Sequence, residues 1–190
     1  MTGKNGLKKT HLGKAEKWLV DEARKVGLDI EGFEHEITNE FVNHVRKNHG
    51  NEKTEAARGT VAIKEADFGK IAEIVMEPDF VIVGARRKNE DFMIYVKGME
   101  NGTVLYFEEV LRGRTNRSLR GKTMYKLKGN VSRESIINIV TNKGKTDISK
   151  AKIAVGTGGQ SRGGAVKPSD PTVATSVIPD NLIDPQIAQM

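Results

Sequence analysis

Four histidines, His11, His35, His44 and His49, are the side chains of this sequence whose ordinary pKa suits proton transfer near neutral pH. Three of them fall between residues 35 and 49, which raises an acid–base site as a hypothesis. His44 and His49 are five positions apart, about 140° around a helix, so they converge only if His49, beside Gly50, has left the helix. The same residues can equally be a half-buried surface histidine and a cation favoured by a helix C-terminus. A helical zinc pair is disfavoured, because His-x4-His lacks the i, i+4 spacing and no Glu lies between the two.

The second signal is charge. Arg112, Arg114, Arg117, Arg120, Lys122, Lys126 and Lys128 follow one another without an intervening Asp or Glu, interleaved with glycine and small polar residues. Guanidinium forks and backbone N–H groups could there reach a phosphate, although a solvated strand and loop explains such a run as well. Tyr106, Phe107 and Tyr125 lie on adjoining strands, where aromatic rings can stack on unpaired bases; Phe107 is assigned to the core. In a strand, Glu108 and Glu109 point to opposite faces. Glu109, opposite Tyr106 and Val110, is the carboxylate expected to enter a cleft, unless it is an ordinary exposed strand charge.

Several chemistries are disfavoured. Cysteine is absent, which removes disulfides, thiolate zinc sites and cysteine nucleophiles. No Walker or dinucleotide-type glycine loop sits between a strand and a helix, so no cofactor is expected. No segment has signal-peptide or membrane-spanning character, and the chain is expected to be cytoplasmic with no membrane partner. The formal charge of +6 makes a polyanionic partner plausible.

The elements that must position these residues change character half-way along the chain. Ala15, Trp18, Leu19, Ala23 and Val26 predict a first helix ended by Gly27. A second runs over about 38–49, with Thr38 as N-cap. Asp67, Phe68, Ile71, Ile74 and Val75 predict a third, stopped by Glu77-Pro78. Strands are then predicted at 80–83, 92–97, 103–110 and 122–128, with Asn101-Gly102 as a type I′ hairpin turn. Ser132 can cap a short helix through Ile136 and Val140, though the β-branched run leaves a strand open. The expected architecture is α+β. N-terminal helices (14–76) pack on one face of a small, about four-stranded antiparallel sheet (80–128) in a domain of residues 1–150, and the other face is partly open. Residues 151–190, rich in Gly, Pro, Ser and Thr, are expected to form a flexible tail.

The strings Gly32-Phe33-Glu34-His35-Glu36-Ile37 and Val42-Asn43-His44-Val45-Arg46-Lys47-Asn48-His49-Gly50 resemble phage-associated nuclease domains of the barnase/EndoU/colicin/RelE-like (BECR) group. Glu55-x-x-Arg58-Gly59, Asp67-Phe68, Pro78-Asp79 and Lys122-Thr123-Met124-Tyr125-Lys126 continue the likeness over roughly residues 15–128. The resemblance implies a small antiparallel sheet with helices to one side and metal-independent RNA cleavage by 2′-hydroxyl attack. It implies His44, His49, Glu109 and Thr123 at the cleft, with His35 as an addition, and Arg120, Lys122 and Lys126 as charge stabilisers. It further implies RNA as partner, association with phage structural proteins or an inhibitor protein, and toxin-like or virion-associated occurrence. The alternative is a non-catalytic nucleic-acid-binding or virion-associated module.

Overall fold

The computed structural model describes residues 6–143 and 145–156. The chain first forms β1 (Lys9–Lys14), α1 (Lys17–Arg24), β2 (Glu34–Thr38), α2 (Asn39–His49), α3 (Glu52–Ala57), the two-residue β3 (Thr60–Val61), α4 (Glu65–Phe68) and α5 (Ile71–Met76). It continues through β4 (Phe80–Arg87), β5 (Glu90–Met99), β6 (Gly102–Arg112) and β7 (Arg117–Leu127). It then forms α6 (Arg133–Asn138), a π-helical turn at Ile139–Lys143 and β8 (Lys152–Val155).

All eight strands join one sheet in the order β1-β2-β7-β6-β5-β4-β8, with β3 also pairing β7. Neighbours are antiparallel except β2 and β7, which run parallel over Glu34–Glu36 and Ser118–Arg120. The expected four-stranded antiparallel sheet under N-terminal helices is therefore incorrect: the sheet is mixed, has eight strands among the described residues, and draws three of them from before residue 76, where only helices were expected. β1 is an exposed polar edge. β2, Glu-His-Glu-Ile-Thr, buries His35 and Glu36 by giving them charged partners, so neither strand shows the apolar alternation by which strands are recognised. β8 pairs with β4 from within the stretch expected to be tail. The rest of that expected tail, from residue 157, lies outside the described residues.

The helix-forming signals act as anticipated. Thr38 Oγ1 accepts the Phe41 N–H at 3.1 Å to start α2, and Ser132 Oγ accepts the Ser135 N–H at 3.2 Å to start α6. The third predicted helix is two short ones, α4 and α5, and the polar stretch before it holds α3, capped by Asn51. The β5–β6 hairpin is present, but Met99 pairs with Gly102, so its central residues are Glu100 and Asn101. Gly102 is required for a different reason: its φ is +143°, and a Cβ there would lie 2.2 Å from the Leu127 carbonyl oxygen.

Both faces of the sheet are covered, unequally. Leu19 and Ala23 of α1, Phe41 and Val45 of α2, and Ile71 and Ile74 of α5 pack on Val81, Met93, Tyr95, Val104 and Tyr106. On the second face Ile136, Ile139 and Val140 cover Ile82, Ile94, Val96 and Leu105. That cover reaches only part of the face. The remainder is the floor of a cleft.

Candidate active site

β7 is paired by β2 only as far as Arg120 and by β3 only from Lys126, so among the described residues a short edge between them has no strand beside it. α2 packs against β7 and carries His44 and His49 to this edge. The β6–β7 ladder also shifts register here: Phe107 pairs with Thr123 and Glu108 with Gly121, leaving Lys122 as the extra residue of a β-bulge. A bulge re-aims a side chain that strict alternation would send elsewhere. Lys122 and Thr123 consequently line the same cleft, together with His44, Arg87, Glu90, Phe92, Phe107 and Thr146.

Thr123 is buried, and its hydroxyl has no hydrogen-bond partner among the described residues. A buried donor left unsatisfied is costly, and in a cleft it marks a place where a ligand's acceptor belongs. Lys122 Nζ lies 3.2 Å from Glu109 Oε2, so the cation is held but half-exposed. Burial pulls the Arg87 guanidinium below its ordinary pKa, against the charges of Tyr125 and Glu90; it remains a cation. The floor is aromatic. Phe107 stacks on Tyr125 with centroids 5.7 Å apart and planes 29° apart, and burial pushes the Tyr125 phenol up while the Arg87 charge opposes it.

His44 stands on the wall beside this floor, and His49 is buried behind it. The rings of His44 and His49 are 6.5 Å apart although both residues are helical, so the 140° offset is bridged by side-chain reach and His49 need not leave the helix. The Asn48 amide donates to His44 Nδ1 at 3.0 Å, which fixes that ring nitrogen as the acceptor. His49 is buried beside Tyr125, 5.9 Å from its ring, and its Nδ1 is 3.4 Å from Glu55 Oε2. Glu55 also accepts from Thr60 Oγ1 at 2.7 Å and from Arg58 Nη1 at 2.8 Å. Burial alone would raise the Glu55 carboxyl, but the hydrogen bonds from His49 and Thr60 and the charges of His49 and Arg58 outweigh it and hold it below its ordinary value.

The other expected site residues are elsewhere. His35 faces the helical side of the sheet, where its Nδ1 is 2.8 Å from Glu108 Oε2; both side chains are fully buried, away from the cleft. The basic run is divided by strand alternation. Arg120 binds the buried Glu36, Lys126 binds Asp67 at 2.8 Å, Arg112 binds Asp91, and Arg117 lies over the Phe33 ring at 5.2 Å. Arg114 and Lys128 are exposed. Arg87, Glu90, Phe92 and Thr146 were not anticipated. The Arg86-Arg87-Lys88 run at the end of β4 was the available signal for the first of these; Thr146 gave none. Among the described residues no three His, Asp or Glu side chains are grouped as a metal's ligand set.

A family model described as phage-Barnase-EndoU-ColicinE5/D-RelE like nuclease3 matches residues 13–134. The chain belongs to this family of phage-associated, nuclease-like domains. The matched stretch of the BECR domain includes α2, the β6–β7 bulge and Arg87, and it stops before Thr146 and β8. No curated protein and no solved structure matches the chain. Among the described residues, no helix of the domain is long and apolar enough to cross a membrane.

Proposed function

We propose that the cleft is the centre of a metal-independent endoribonuclease. The observation that carries this reading is the bulge-directed pair Lys122 and Thr123, a cation and a buried hydroxyl lacking an acceptor, in one cleft with His44. Phosphodiester cleavage by the neighbouring hydroxyl needs a base for the 2′-proton, an acid for the departing 5′-oxygen and cations for the phosphorane. His44, half-exposed on the wall, is the proton-transfer group, and Glu109, tied to Lys122, is the carboxylate opposite in role. Lys122 and Arg87 supply positive charge and Thr123 donates to a non-bridging oxygen. The 2′-oxygen–phosphorus bond forms as the phosphorus–5′-oxygen bond breaks, leaving a 2′,3′-cyclic phosphate and a 5′-hydroxyl. Phe107, half-buried in the cleft lining and stacked on Tyr125, offers an aromatic surface for an unpaired base, which favours single-stranded RNA.

His49 is behind His44 and is assigned to its support. Incubation of the protein and of His44→Ala with total RNA in EDTA tests the reading. Cleavage with cyclic-phosphate ends, lost in the variant, is the expected result. Salt-sensitive RNA binding without cleavage by either protein would replace it with a non-catalytic nucleic-acid-binding module.

A further inference from the structure

The β4–β5 and β6–β7 hairpins end side by side at the mouth of the cleft. Their tips, residues 86–91 and 111–117, carry Arg86, Arg87 and Lys88 on one and Arg112, Arg114 and Arg117 on the other, against only Glu90 and Asp91. Like charges at such density repel, yet the tips are fastened together. Asp91, buried at the start of β5, takes Arg86 Nε of β4 at 3.1 Å and Arg112 of β6, so one carboxylate clamps the strands on both sides of it. Arg117 is held over Phe33. Arg87 belongs both to this rim and to the cleft lining, which makes the two surfaces continuous.

We propose that the two hairpin tips form one preorganised basic rim that holds the RNA strand flanking the scissile phosphate, so that the domain takes a polynucleotide rather than a single nucleotide unit. This rests on the ribonuclease reading for the position of the scissile bond, and on charge complementarity for the partner. Six cations arranged beside a cleft suit successive phosphates of one backbone, and the clamp on Asp91 means that ordering them is not deferred to binding.

The test is fluorescence anisotropy of the full chain with a fluorescent 2′-O-methyl RNA about 20 nucleotides long, which cannot be cleaved by 2′-hydroxyl attack, over a series of salt concentrations. Lys88→Ala with Arg114→Ala removes two exposed tip cations, and the slope of log binding constant against log salt is expected to fall by about 1.4 in magnitude, roughly 0.7 for each lost phosphate contact. An unchanged slope in a folded double variant would overturn the proposal. So would polyglutamate binding the rim as tightly as RNA with the same dependence on these two residues, which would mark it as a site for an acidic protein. Tip-dependent binding of the methylated strand, with no cleavage of ordinary RNA, would uphold the rim while removing the catalytic reading.

Discussion

His49 Nδ1 lies 3.4 Å from Glu55 Oε2, and both side chains are buried in the wall behind His44. A carboxylate in this position keeps the imidazole proton on Nδ1 and turns Nε2 away from Glu55, while its own charge is compensated by Arg58 and it accepts a hydrogen bond from Thr60. α2 and α3, which carry the two residues, are thereby joined at the C-terminal end of α2, rather more than one turn beyond His44.

The pH dependence of stability follows from the lowered Glu55 carboxyl. A carboxylate whose folded pKa lies below its unfolded value of about 4.5 contributes stability that is complete above that value and is lost as pH falls through the lower folded one. Glu36, held down against burial by Arg120 and Lys9, acts in the same direction. Glu55→Gln is expected to be less stable at pH 7 by about 1–3 kcal/mol and to show a shallower loss of stability below about pH 4.5 in urea unfolding. Parallel acid limbs in the two proteins would count against this network.

His35 gives the opposite contrast between structure and catalysis. Its removal leaves Glu108 buried without its hydrogen-bond partner, beside the Tyr95 and Tyr106 phenols that burial and the Glu108 charge already push well up. His35→Ala is expected to cost about 3–5 kcal/mol in chemical denaturation. Cleavage per folded molecule is expected to be retained, and a folded but inactive variant would return His35 to the site.

Thr123→Val tests the unsatisfied hydroxyl. No protein hydrogen bond is lost, so stability is expected to change by less than about 1 kcal/mol. RNA cleavage is expected to fall by about 10- to 100-fold, the value of a hydrogen bond to a charged oxygen realised in the transition state. Equal activity of the two proteins would show that the hydroxyl does not meet the phosphate.

Gly121 is required by packing. A Cβ there would lie 2.7 Å from the Tyr106 hydroxyl and 3.3 Å from the Phe41 ring, directly beneath α2. Gly121→Ala is expected to destabilise the fold by about 1–3 kcal/mol, measured by thermal or urea unfolding, and to displace His44 with α2.

Much of this arrangement was legible in the order of residues, and what was not has identifiable physical causes. α2, its Thr38 cap, and strands β4 to β7 follow from periodicity and capping chemistry, whereas at α6 the Ser132 cap pointed to a helix and the β-branched run left a strand open. β2 has no apolar signature because two of its three buried residues are His35 and Glu36, paired by partners 73 and 84 residues away. Of the expected catalytic residues, His44 and Thr123 line the cleft, with Glu109 held on Lys122 and His49 behind His44. The convergence of Lys122 with Thr123 depends on a bulge set by pairing to β6, which no local pattern announces. Arg120 and Lys126 carry charge as the sequence suggests, but Glu36 and Asp67 occupy them.

The most direct measurement of the central claim uses an RNA oligonucleotide carrying one deoxyribose at a position the protein cuts, digested in EDTA and resolved by mass. In-line attack by the 2′-hydroxyl predicts that every other cut persists with cyclic-phosphate ends and that the cut after the deoxyribose disappears. Cleavage at the deoxyribose at the ordinary rate would contradict the mechanism assigned to His44, Lys122 and Thr123.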